Sequence, residues 1–143
     1  FAAAHYGPYC PQVGHILHDV NGKYLKGLEQ MGIGAFDALE LQYSTMKEVS
    51  EYVKTKLKPE QIARLKQLIK LITGFQSALS LEVLASVAYV RKENPCIDLK
   101  QTITKIQEWS PRKKHLFKEK YIQIAYNYLD AFSQGKDELF RTC

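Results

Sequence analysis

The segment SLEVLASVAYVRKENP, residues 80–95, constrains the fold more than any other part of the chain. A helix that is apolar on nearly all sides lies at the centre of a domain, because every face needs cover. The apolar residues of this segment are Leu81, Val83, Leu84, Val87, Ala88, Tyr89 and Val90. The sequence therefore predicts a domain packed around a helix at 81–93.

Helical spacing and helix-start residues predict that most of the remaining chain is also α-helical. Pro11 opens one helix, a Thr45–Glu48 capping box opens another, and Pro59 opens a third that ends before Gly74. Asp98 and Ser110 are predicted N-caps, and the last helix is predicted over 118–133. Residues 22–44 are predicted to form either a short antiparallel pair or an irregular loop. The predicted fold is mostly α, a compact domain of six or seven helices with a small β element near 23–43.

The length of 143 residues indicates a single domain over 1–143. Residue 1 is Phe, so we expect a fragment of a longer protein. No apolar run approaches the ~20 residues that cross a bilayer, so no membrane partner is expected. Cys10, Cys96 and Cys143 have neither CxxC nor zinc spacing, and we expect reduced thiols in a cytoplasmic protein.

The sequence contains no pattern that supplies catalysis. No nucleophile motif, phosphate-binding loop or dinucleotide-binding loop is present. His15 and His18 share one helix face, but no carboxylate at a suitable spacing completes a metal site. We therefore expect no enzyme activity, no cofactor and no metal.

Charge is unevenly distributed along the chain. Residues 1–53 hold three lysines and six acidic residues, a net charge of −3. Residues 54–143 hold 17 basic and nine acidic residues, a net charge of +8. Such asymmetry bears on the choice of partner rather than on the fold.

The most basic segment is SPRKKHLFKEK, residues 110–120. Arg112, Lys113 and Lys114 are candidates for neutralising phosphates, which predicts a helical DNA-binding module as one function. The alternative is a solvated helix face on which the lysines cover apolar surface with their stems. These positions also form a second candidate patch for a protein partner.

Several motifs occur in an order that resembles a known family. HYGPYCPQVGHILHDVNGKYLKG, at 5–27, resembles the YGPY-type segment of the C-terminal domain of DarG antitoxins. LITGFQSALSLEVLASVAYVRKENP and ITKIQEWSPRKKHLFKEKYIQIAYNYL are similar to that family's GFE-type turn, long helix, W-x-x-RK motif and final helix. The matching residues are Tyr6, Gly7, Pro8, Tyr9, His15, Gly22, Gly74, Phe75, Glu82, Leu84, Ala85, Val87, Trp109, Arg112, Lys113, Phe117 and Ala125.

The resemblance implies an antitoxin function. DarT toxins are similar to ADP-ribosyltransferases and modify thymidine in single-stranded DNA with NAD. DarG reverses the modification with a macro domain, which we expect to be absent from this chain, and its C-terminal domain holds the toxin. A similar YGP-type segment occurs in Panacea-type antitoxin domains. The implied partner is thus a DarT-like toxin, neutralised by protein–protein contact.

Physical chemistry suggests which residues would contact such a toxin. A toxin that takes single-stranded DNA needs a basic groove with stacking residues, and an inhibitor can fill it with acidic and aromatic groups. Tyrosines are favoured interface anchors, and acidic residues steer a chain toward a basic site. This DNA mimicry predicts partner-binding residues in the acidic half, namely Tyr6, Tyr9, Tyr24, Glu48, Glu51 and Tyr52.

Overall fold

The computed structural model describes residues 1–27 and 39–134 of the chain. These residues form seven α-helices and two small antiparallel two-stranded sheets, so the predicted mostly α fold is confirmed. The chain divides into two compact units. Of the described residues, the first unit contains 1–9 and 68–134, and the second contains 10–27 and 39–67. The single domain over 1–143 stays a prediction.

The first unit begins with a short hairpin. Strand β1 (Ala2–Ala4) pairs antiparallel with β2 (Gly7–Tyr9), with Ala3 opposite Pro8. Gly7 and Pro8 lie in β2, and the turn between the two strands is formed by His5 and Tyr6. Proline is tolerated here because its missing N–H falls at a position that donates no ladder hydrogen bond.

The helices of this unit are the end of α3 (Pro59–Ile72), then α4 (Ala78–Glu93), α5 (Leu99–Trp109), α6 (Pro111–Leu116) and α7 (Glu119–Gln134). Helix α4 buries six residues, which confirms it as the central helix of this unit. Its apolar side chains pack in a core with residues of α3, α5 and α7. The core consists of Leu71, Val83, Leu84, Val87, Val90, Ile97, Ile106, Phe117, Ile122, Ala125 and Leu129.

Local capping chemistry sets where these helices begin. Asp98 accepts from the Gln101 N–H at 2.7 Å, and Ser110 accepts from the Lys113 N–H at 3.2 Å, as predicted. Helix α4 begins three residues before the predicted start at 81 because Ser77 and Ser80 form a capping box. Gly74, with φ of 94°, follows α3 in the left-handed conformation expected after a helix end.

The second unit contains α1 (Pro11–Val20), β3 (Leu25–Lys26), β4 (Glu40–Leu41), a 3-10 turn at Tyr43–Thr45, α2 (Met46–Lys56) and the first part of α3. Strands β3 and β4 pair antiparallel, which confirms a β element near 23–43. Residues 28–38 of the segment 22–44, predicted as an antiparallel pair or an irregular loop, lie outside the described residues.

The Thr45–Glu48 capping box is not formed. The Thr45 hydroxyl donates to the Gln42 carbonyl at 2.8 Å instead of capping α2. Glu48 is engaged by Lys23 and Tyr24, so its carboxylate is used by a tertiary contact rather than by the helix terminus.

The described residues hold one free and one bonded cysteine. Cys10 has a free thiol, whereas Cys96 is disulfide-bonded, so the expectation of a reduced thiol is wrong for Cys96. Among residues 1–27 and 39–134, no helix is long and apolar enough to span a membrane.

Trp109 joins three parts of the first unit. Its indole N–H donates to the Ala4 carbonyl of β1 at 3.0 Å, and its ring lies 5.5 Å from the Tyr89 ring on α4. The indole is half-buried and adds a hydrogen bond that the sequence did not reveal.

We predict different losses for two substitutions of Trp109. Trp109→Ala removes the ring and the hydrogen bond, and should lower the free energy of unfolding by about 3 kcal/mol. Trp109→Phe keeps an aromatic ring against Tyr89 but loses the donor, and should cost about 1 kcal/mol. Urea denaturation measures both. Equal losses in the two variants would contradict the contribution assigned to ring packing.

Candidate partner-binding site

A carboxylate on the central helix holds two cations from α6. The Lys113 ammonium lies 2.8 Å from Glu82 Oε1, and the Arg112 guanidinium donates to the same oxygen. Lys113 also donates to the Ser86 hydroxyl at 3.1 Å. Glu82 and Ser86 are four residues apart and share one helix face, while Ser110 begins α6 just before the two cations. We call Glu82, Ser86, Arg112 and Lys113 the ion cluster.

Lys113 lies inside the first unit. Its side chain is 0% exposed, and its ammonium lies 4.4 Å from the centroid of the Phe117 ring and 5.0 Å from that of Trp109. Aromatic ring faces attract a cation, so the rings replace part of the lost hydration. Burial is the strongest influence on the ammonium and lowers its pKa, while the hydrogen bond from Lys113 to Glu82 acts in the opposite direction.

The Glu82 carboxylate is stabilised in its charged form. Burial opposes its ionisation, but the hydrogen bonds from Arg112 and Lys113 outweigh burial and hold the pKa of Glu82 below its usual value. The cluster is therefore an ionised carboxylate shared between a buried and a partly exposed cation.

The β1–β2 hairpin lies against this cluster. A Cβ on Gly7 would lie 3.8 Å from Ser86 Oγ and 3.9 Å from Glu82 Cγ, ordinary contact distances. The φ of 142° at Gly7 is therefore what favours glycine. At the turn, the Arg112 guanidinium carbon lies 5.0 Å from the centroid of the Tyr6 ring, and the His5 ring meets that ring edge-on at 4.8 Å.

Two predicted partner-binding residues are thus displayed by a braced hairpin. Tyr6 is 42% exposed, although its ring contacts Arg112 and His5, and Tyr9 is 55% exposed at the end of β2. Large aromatic side chains held at a surface by a buried scaffold are typical of interface anchors.

The other predicted partner-binding residues lie in the second unit. The Tyr24 hydroxyl donates to Glu48 at 2.8 Å, and Lys23 forms an ion pair with the same carboxylate at 2.7 Å. Hydrogen bonds from Lys23 and Tyr24 lower the pKa of Glu48. Its charge is balanced locally, so Glu48 contributes little net negative field. On α2, Glu51 is exposed and Tyr52 is 59% exposed.

The predicted basic patch is not a uniform surface. Lys113 is buried, Arg112 is half-buried and paired with Glu82, and only Lys114 of the three is exposed. A role of these residues in binding nucleic acid or a partner stays a prediction. Ser86 and the pairing of Glu82 with Lys113 were missed. The sequence signal that could have found them is the placement of Glu82 and Ser86, four residues apart, on one face of a largely apolar helix.

Within the two described ranges, no group of three or more His, Cys, Asp or Glu side chains is arranged to hold a metal ion. The ion cluster also has limited means for chemistry. Its carboxylate oxygen and its buried ammonium are already hydrogen-bonded to each other. Such an arrangement braces packed elements.

Comparison with known proteins finds three similar proteins that share one name. The chain is 25% identical over 130 residues to a DNA ADP-ribosyl glycohydrolase of Thermus aquaticus, covering 90% of this chain and 34% of that protein. It is 23% identical over 128 residues to proteins of the same name from Mycobacterium bovis and Mycobacterium tuberculosis, covering 87% of this chain and 36% of theirs. The chain spans about a third of the length of these curated relatives. No protein-family profile matches it.

We predict that neutralising Glu82 destabilises the fold by leaving Lys113 buried without a counterion. Glu82→Gln has nearly the same volume and should lower the free energy of unfolding by about 3 kcal/mol. The double variant Glu82→Gln with Lys113→Met should recover part of that loss, because no buried charge remains. Chemical denaturation measures each variant.

The matched control is Glu93→Gln, which neutralises an exposed glutamate at the end of the same helix. It should change stability by less than about 0.5 kcal/mol. A Glu82→Gln effect no larger than that of the control would show that the cluster does not brace the unit.

Proposed function

We propose that this chain is an antitoxin domain that binds and neutralises a DarT-like DNA ADP-ribosyltransferase toxin by protein–protein contact. The similarity to DNA ADP-ribosyl glycohydrolases supports a relationship with DarG. It extends over nine-tenths of this chain but about a third of the relatives. The hydrolytic activity in their name belongs to those whole proteins, and under our proposal this chain supplies binding rather than catalysis.

The positions that carry the resemblance support a scaffold that displays a surface. Gly7, Glu82, Trp109, Lys113 and Phe117 all lie in or against the ion cluster. Among them, Lys113 donates to Glu82, and the indole of Trp109 donates to Ala4 of the hairpin, all inside the first unit. Such residues specify how the hairpin sits on α4 and α6, and they leave the partner contact to neighbouring exposed side chains.

The observation that carries the proposal is the pair of exposed tyrosines on the braced hairpin. Tyr6 and Tyr9 offer large aromatic rings on a hairpin whose backbone is fixed by strand pairing and lies close to Glu82 and Ser86 at Gly7. A preformed aromatic surface loses little conformational entropy on binding, which favours affinity. A toxin that stacks the bases of single-stranded DNA has a groove suited to such rings.

Occupation of that groove is the finer part of the proposal. The acidic half of the chain includes Glu51 and Tyr52, which are exposed on α2. We propose that these residues contribute to the toxin contact. Lys23 balances the charge of Glu48, so Glu51 supplies the negative charge instead. Direct DNA binding by the 110–120 segment is the competing function. It is weakened by the burial of Lys113, since a buried ammonium is not available to a phosphate.

We predict that Tyr9→Ala weakens binding to a catalytically inactivated DarT-like toxin by about 1–3 kcal/mol, roughly 5- to 150-fold in Kd. Its exposed side chain leaves the fold intact on removal. Tyr121→Ala is the matched control, because Tyr121 is a similarly exposed tyrosine of the same unit, at 46%, on α7. Isothermal titration with both variants, after a thermal melt of each, gives the comparison.

Three results would count against this proposal in different ways. No binding by the wild-type chain would remove the antitoxin function itself. A loss with Tyr121→Ala and none with Tyr9→Ala would move the contact to another surface. Unfolding of Tyr9→Ala would show that the tyrosine serves the core instead.

A further inference from the structure

The Arg112 guanidinium has two contacts that differ in kind. It pairs with Glu82, which ties it to the buried Lys113, and it lies over the Tyr6 ring at 5.0 Å. Glu82 belongs to the buried side of the unit, and Tyr6 belongs to the hairpin turn. Arg112 is therefore the link between the ion cluster and the exposed aromatic ring.

Tyr6 occupies a turn position, where backbone alone does not fix a side chain. His5 and Tyr6 form the two-residue turn between β1 and β2. The ring is nevertheless held by a guanidinium over its face, at 5.0 Å, and by a T-shaped contact with the His5 imidazole, at 4.8 Å between ring centroids. A planar guanidinium stacks on an aromatic face far better than the compact ammonium of lysine.

We propose that Arg112 is a positioning residue that holds the Tyr6 ring in the orientation that the toxin binds. This inference rests on the proposed function and adds that affinity depends on the Arg112–Tyr6 stack. Because the ring is ordered before the encounter, the toxin does not have to immobilise it, and that entropic cost is avoided. Tyr6 provides the contact, and Arg112 acts only through Tyr6.

The test is a double-mutant cycle with the full chain and a catalytically inactivated DarT-like toxin as the probe. Arg112→Lys keeps a cation for Glu82 but loses the planar stack, and should raise Kd about 3- to 30-fold. Tyr6→Ala should raise Kd at least as much. In the Tyr6→Ala background, Arg112→Lys should have no further effect, because the ring that it positions is gone. Tyr6→Phe should keep the sensitivity to Arg112→Lys, since the ring remains.

The chain offers a matched control for loss of an arginine–tyrosine stack. The Arg91 guanidinium carbon lies 4.5 Å from the centroid of the Tyr126 ring, and its guanidinium pairs with Asp130. Arg91→Lys should lower the melting temperature while leaving Kd for the toxin unchanged. This separates a general loss of stability from a loss of positioning.

The outcomes are distinct. An unchanged Kd for Arg112→Lys, or independent multiplying effects of the two substitutions, overturns the positioning role while the antitoxin function stands. An equal rise in Kd for Arg91→Lys overturns it as well, because the effect is then one of stability. Failure of the wild-type chain to bind the toxin overturns the proposed function and this inference together.

Discussion

The ion pair between Glu82 and Lys113 is the interaction on which the first unit depends. A fully buried ammonium is costly unless its charge is compensated and its protons are bonded. Glu82, Ser86 and the rings of Phe117 and Trp109 together provide that compensation. These groups come from α4, from α5 and from the residue after α6, while the lysine itself lies in α6, so solvating one lysine fixes how these helices meet.

The hairpin follows from the same arrangement. Gly7 lies close to Glu82 and Ser86, Trp109 bonds to Ala4, and the Arg112 guanidinium lies over the Tyr6 ring. A two-stranded hairpin is marginally stable alone, so its order comes from these contacts. Under the proposed function, contacts with buried residues of the helical unit hold the hairpin in place, and the hairpin presents a fixed aromatic surface to the toxin.

The sequence predicted those features that local chemistry decides. The caps at Asp98 and Ser110, the start of α3 at Pro59 and the central position of α4 each depend on residues within one or two turns. The Thr45–Glu48 capping box was wrong because Glu48 has stronger partners 24 and 25 positions away in Tyr24 and Lys23. The hairpin at residues 2–9 was missed because its stability comes from distant helices rather than from its own short strands.

The candidate site was only partly predictable for the same reason. Lys113 and Lys114 are the same residue type at adjacent positions. Lys113 lies on the same helix face as the buried Phe117, four residues later, and this alone distinguishes the buried lysine from the exposed one. Glu82 and Lys113 pair across 31 positions of sequence. Glu82 and Lys113 are among the residues that match the family motifs, but the resemblance did not reveal that they form one buried cluster.

Under the proposed function, the chain neutralises a toxin by protein–protein contact that takes the place of its DNA. Displacement of a fluorescent single-stranded oligonucleotide from a catalytically inactivated DarT-like toxin tests it most directly, with fluorescence anisotropy as the measurement. We predict that the chain alone leaves the anisotropy of the free oligonucleotide unchanged and that its addition to the toxin–DNA complex returns the anisotropy to that low value. An anisotropy that stays high when the toxin is saturated with this chain, or that rises with the chain alone, would contradict it.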